Sequence, residues 1–175
     1  MLSKKNKILA AALKLFANEG YNATSTSKIA KAAGVSEGLI FRHFSNKKRL
    51  LNALNEIAEQ RIAELFTPIL LETDAEEVIR KTIHIPFREG IPKEKYDFWR
   101  LHYKLRWEPE YYDPQKKQAL TDKLTTAFQV LNYDTPHLEA KFLTQTLDTL
   151  SIGVLRDGLE QQLPLEQLLL SKYGL

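Results

Sequence analysis

No cysteine occurs in the 175 residues, which excludes disulfides, a thiolate nucleophile and any cysteine-based zinc site, and leaves the redox compartment open. Nor does any stretch approach the roughly 18 consecutive apolar residues of a membrane span. The nearest imitation, Ile8 to Ala17 behind Lys4, Lys5 and Lys7, resembles a secretory leader. Lys14 interrupts it and no small-residue cleavage pattern follows, so a cytoplasmic protein with no membrane partner is expected. The seven glycines are too dispersed to cradle a phosphate, and GxGxxG, Walker A and GxSxG motifs are all missing. The four histidines, at 43, 84, 102 and 137, form no HxxxH pair, and none has a carboxylate at metal-ligand spacing in an apolar setting. No metal, no cofactor and no catalytic constellation is expected, and the chain does not read as an enzyme. Strand alternation bounded by turns is missing too, which predicts an all-α protein.

What is present is unevenly distributed. Residues 1–50 carry ten Lys or Arg against Glu19 and Glu37, a balance of +8, while the remaining fifteen basic and twenty acidic residues leave −5. Such asymmetry points to a polyanion as the partner of the first fifty residues, and the acidic remainder discourages the rest from lying on the same partner. Within that basic stretch, Ser25 can cap a short helix carrying Ile29, Ala30 and Ala33. Gly34 can end it in the left-handed conformation, and Ser36 can cap a second helix with Ile40, Phe41 and Phe44 on its buried side. Two short helices joined by a tight glycine turn form a helix-turn-helix, whose second member enters the major groove.

At these residues the chain resembles the TetR family of transcriptional repressors. The resemblance rests on Ile29, Ala30, Ala33, Gly34, Val35, Ser36, Gly38, His43, Phe44 and Lys47. Upstream it extends to Ile8, Leu9, Ala12, Leu15 and Phe16 of a first helix and to Gly20, Tyr21, Ala23 and Thr24 of the loop after it. It is specific over about the first fifty residues; beyond them only length and helical pattern agree. It implies a double-stranded operator as partner, with Glu37, Gly38 and Leu39 at the base-reading positions and Thr24, Lys28, Arg42, His43 and Lys47 on phosphates. Three positions depart from the family pattern. Phe41 stands where a tyrosine hydroxyl usually meets a phosphate, a contact Arg42 can take over. Lys28 and Lys48 stand where an acidic residue often closes a capping box, and Thr26 replaces a residue that is usually aliphatic.

The expected architecture is an N-terminal three-helix DNA-binding head over residues 1–48 and a helical ligand-binding and dimerisation body over 49–175. A long fourth helix from Asn46 or Lys47 to about Phe66, stopped by Pro68, links the two. Prolines at 86, 92, 109, 114, 136 and 164 then predict helices over about 75–87, 93–108, 115–131, 137–160 and 165–172.

Two stretches of the body invite a functional reading. Tyr96, Trp99, Tyr103 and Trp107 recur on one helix face, with His102 and Arg106 as polar neighbours. They form either packed core or the wall of a pocket for a small apolar or aromatic effector. The helix from Leu138 to Leu159 is apolar on more than one side, so Ile152, Leu155 and Leu159, with Leu168 and Leu169 of the last helix, are expected at a homodimer seam. The leading reading is a homodimeric repressor released from a palindromic operator by a small ligand. The alternative is a DNA-bound adaptor of the same fold whose body answers to a protein partner.

Overall fold

The computed structural model describes residues 3–89, 96–108, 110–111 and 113–175, and every regular element among them is helical. These residues fall into two compact units, one drawn from 1–61 and 94–111, the other from 62–93 and 112–175. The division departs from a break at 48 in two ways: it lies within a helix, and it assigns a later segment to the first unit.

In the first unit α1 (Lys4–Glu19) is capped by Ser3, whose hydroxyl accepts the Asn6 N–H at 3.2 Å, and it ends at Gly20, φ +92°. Its buried residues Ile8, Ala12 and Phe16 lie four apart, one stripe on one face. α2 (Thr26–Ala33) starts under Ser25, whose hydroxyl accepts the Lys28 N–H, and closes on Gly34 at φ +66°. There Val35 N–H reaches Ala30 O at 3.0 Å, the six-to-one bond of a left-handed helix stop. α3 (Glu37–Phe44) follows; Ser36 has cap dihedrals, but its hydroxyl makes no cap bond and only its carbonyl is engaged, by Leu39 N–H. α4 (Lys47–Leu70) is capped by Asn46, whose Oδ1 accepts Arg49 N–H at 2.8 Å. Pro68 does not end it. Proline forfeits one N–H and disturbs one carbonyl, and so close to the terminus the helix needs only two further residues.

α6 (Tyr96–Leu105) was expected in the body and belongs to the first unit. Leu101 and Leu105, one turn apart, complete the core formed by Ile8, Phe16, Ile40, Leu51 and Leu54. On either side of that contact Asn18 donates to Asp97 Oδ1 at 3.1 Å and Lys104 donates to Ala17 O. Residues 93–95, included in the helix expected from the sequence, lie outside the described residues.

The second unit holds the last part of α4, α5 (Ala75–His84), a single π-turn over Ile85–Glu89, a 3₁₀ turn over Pro114–Lys117, α7 (Gln118–Val130), α8 (Pro136–Asp157) and α9 (Leu159–Lys172). Its core gathers Ile79, Ile83, Leu124, Phe128, Leu143 and Leu169. Asp74 caps α5 by accepting Glu77 N–H, and His84 at the end of α5 lies 2.6 Å from the buried Glu166 of α9. The break between the last two helices falls at Gly158, φ +96°, and not at Pro164, which sits inside α9. A left-handed glycine interrupts a helix outright, whereas a proline near a helix start forfeits a single bond.

Candidate nucleic-acid interface

The helix-turn-helix is built from α2, the Gly34–Ser36 turn and α3. Ile29 and Ala30 of α2 and Ile40 and Phe44 of α3 are buried together. That burial fixes which residues of α3 face outward. Glu37 is its first residue, half-buried; Gly38 is exposed, with open space where a Cβ would stand; Leu39 is half-buried and leans on the core. The Glu37 carboxylate accepts a hydrogen bond at 2.5 Å from the hydroxyl of Thr26, the first residue of α2. Phe41 is exposed, as are Arg42 and His43, which occupy the last turn of α3.

The other residues assigned to phosphates are held in distinct ways. Lys28 makes an exposed ion pair with Glu19. Lys47, at the start of α4, donates to Tyr21 O and Thr24 O, both at 3.0 Å, and lies 4.2 Å from the Tyr21 ring centroid. It therefore fastens the α1–α2 loop to α4. Thr24 is buried, with its hydroxyl donated to Gly20 O at 2.8 Å, so its side chain closes the loop from within.

Behind the head, the turn after α6 lies against α4. Lys48 pairs with Glu110, which raises the lysine pKa through the hydrogen bond to that carboxylate. The Tyr111 hydroxyl donates to Asn52 Oδ1 at 3.2 Å, and burial pushes its pKa up. Phe16, Tyr21, Leu51, Leu105, Trp107 and Tyr111 line a groove of about 670 Å³ in this unit. Nothing in the sequence pattern announced these contacts, because they join residues far apart in the chain. The Thr26–Glu37 bond did leave one trace, the polar residue at position 26.

The aromatic residues of α6 do not form one wall. The helix stops at Leu105, so Trp107 falls in the turn beyond it and is 87% exposed. Trp99 is buried, edge-on to Phe98 and His102, and among the described residues its indole nitrogen has no hydrogen-bond partner. His102 also meets Tyr103 edge-on, Arg106 lies over the Tyr103 ring, and Tyr96 is half-buried under Arg100.

On α8 and α9 the residues expected at the seam divide. Ile152, Leu159 and Leu168 are exposed, together with Phe142, Leu163 and Leu165. Leu155 and Leu169 are buried within their own chain, 7% and 6% exposed. A helix apolar on two sides does not reveal in its sequence which side its own core takes.

Among the described residues no cluster of His, Asp or Glu could hold a metal ion, and no helix is long and apolar enough to cross a membrane. The family described as bacterial regulatory proteins, tetR family, matches residues 8–54. The HTH-type transcriptional regulator AcrR of Shigella flexneri is 44% identical over 61 residues, 35% of this chain and 28% of that protein. The HTH-type transcriptional repressor AcnR of Corynebacterium efficiens is 30% identical over 114 residues, 63% of this chain and 55% of that protein. The chain thus spans between about a quarter and just over half of the length of these curated relatives. A solved TetR-family regulator from Thermus thermophilus, PfmR, superposes over 97% of both chains with a TM-score of 0.70 at 19% identity, which shows the shared fold. The matched segment has the helix-turn-helix at its centre, and the all-helical fold is shared with a solved TetR-family regulator: residues 8–54 of the chain match the tetR family of bacterial regulatory proteins.

Proposed function

We propose that this chain is a cytoplasmic DNA-binding transcriptional regulator, a homodimeric repressor that leaves a near-palindromic operator when a small apolar or aromatic effector binds. The observation that carries the reading is the position of Glu37, Gly38 and Leu39 at the start of α3, in a stretch whose net charge is +8. Glu37 accepts from cytosine N4, Gly38 admits the helix closely and Leu39 touches a thymine methyl. Arg42, His43, Lys28 and Lys47 hold phosphates, and Thr24 keeps the loop that Lys47 fastens. Two such heads must meet successive major grooves about 34–36 Å apart, which requires a twofold dimer. The exposed Ile152, Leu159 and Leu168, continuous in kind with Phe142, support α8 and α9 as its seam.

The effector reading is supported by the groove of about 670 Å³ in the first unit, which has Trp107 of the expected pocket residues in its lining and is of a size that takes a small apolar or aromatic molecule. Ligand and operator then compete through a coupling of about 1–3 kcal/mol, roughly a 5- to 150-fold loss of operator affinity. The test is selection of operators from random duplex DNA, followed by a metabolite screen read by tryptophan fluorescence and operator release together. Recovery of no palindromic site refutes the DNA reading. A site that no metabolite releases, with release instead by a protein partner, replaces the repressor with the adaptor.

A further inference from the structure

We infer that Thr26 is a specificity-determining positioning residue, which holds the Glu37 carboxylate in the conformation that reads a base. The inference rests on the base-reading role proposed for Glu37. Thr26 and Glu37 are the first residues of α2 and α3, eleven apart in the chain, and the 2.5 Å bond from Thr26 Oγ1 to Glu37 Oε1 bridges the two helices. Both side chains are half-buried, so the bond is partly shielded from competing water. An aliphatic residue at position 26 could pack there but could not donate.

The chemistry of the carboxylate explains why the donor matters. A glutamate entering the groove of a polyanion weakens binding to DNA in general and is offset only where a base presents a donor, as cytosine N4 does. Its value lies in discrimination, which requires its oxygens to be in a fixed place. Left alone, glutamate has several rotamers open to it, and an undirected carboxylate rejects the wrong bases weakly. With Oε1 held by Thr26, Oε2 stays available to a single direction, and ordering occurs before DNA arrives. Both groups also lie in the first turn of a helix, where the partial positive charge of the free N–H groups favours an anion.

The experiment compares the full chain with Thr26→Val, which removes the donor at nearly constant shape, Thr26→Ser, which retains it, and Glu37→Ala. Binding is measured on operators varied one base pair at a time, over a range of salt. Glu37→Ala is expected to flatten the preference at one base pair of each half-site. Thr26→Val should weaken preference at that same pair by about 2- to 12-fold, the range that pre-ordering one long side chain is worth. Other positions and the salt slope should stay unchanged, and Thr26→Ser should restore the preference. If Thr26→Val unfolds, Thr26→Ala is read in the same way. The inference is overturned if Glu37→Ala flattens the pair while Thr26→Val leaves it intact, sharpens it, or loosens every position equally. Should Glu37→Ala change no preference, the base-reading role of Glu37 fails first and takes this inference with it.

Discussion

Truncating Leu101 to alanine separates a head that depends on α6 from one complete in its first sixty residues. Leu101 is 5% exposed and belongs to the same core as Phe16, Ile40 and Leu51. Its loss removes a buried isobutyl group and leaves a cavity walled by α1 and α4, a change that costs about 2–5 kcal/mol depending on how far the site collapses. At about 1.4 kcal/mol per tenfold, amide-exchange protection in α1 should fall by roughly 30- to 4000-fold. Native-state hydrogen exchange reads this residue by residue. The losses should concentrate between Ile8 and Phe16 and over Leu50 to Leu54, and operator affinity should fall with them. The exposed Leu138 serves as control, since its truncation should move stability by less than about 0.5 kcal/mol. If Leu101→Ala leaves α1 protection unchanged, α6 contributes nothing to the head and its assignment to the first unit is wrong.

Three further outcomes follow from particular contacts. Ile152→Glu or Leu168→Glu should give a folded monomer in sedimentation, with helicity retained, whereas Leu155→Glu, which buries a charge, should unfold the chain; a folded monomer from Leu155→Glu refutes this division. Lys47→Met should lower stability by about 1–3 kcal/mol through two lost carbonyl contacts, and should reduce the salt slope by less than the ~0.9 of one phosphate; a full reduction with unchanged melting temperature shows that Lys47 serves DNA alone. Glu72 is held at about pKa 2, first by the hydrogen bond from Lys81 and then by the Asp74 and Thr73 N–H groups. With a folded value below the ordinary 4.5, its contribution is present above pH 4.5 and lost as pH falls toward 2. Glu72→Gln should therefore flatten that part of the acid limb in an unfolding titration, and an unaltered limb refutes the assignment.

The helix-turn-helix was legible because its signals are local. Ser25 capping Lys28, Gly34 at positive φ and the buried Ile29, Ile40 and Phe44 all fall within one stretch of twenty residues. Periodicity also located α6, yet could not say which core it serves, since Leu101 and Leu105 would suit any apolar groove. The same blindness put Leu155 on the wrong side of α8. Weighting proline over glycine misplaced the start of α9, because the sequence does not display the +96° φ at Gly158. Lys47 reads as a phosphate contact from its type and place, and only coordinates reveal the two carbonyls it already serves.

That α6 closes the head has a consequence for recombination between regulators. A single crossover within α4 would import a foreign α6 along with the rest of the new chain, and its inward residues would then face an α1 they had never met. Hybrids that take residues 1–61 alone should therefore inherit operator choice with a poorly fitted α1. Grafting Asp97, Leu101, Lys104 and Leu105 in the same step carries over the partners of Asn18, Ala17 and the α1 core. On the proposed reading, the heritable unit of DNA recognition in this chain is discontinuous, and exchange by descent would favour whole chains over heads.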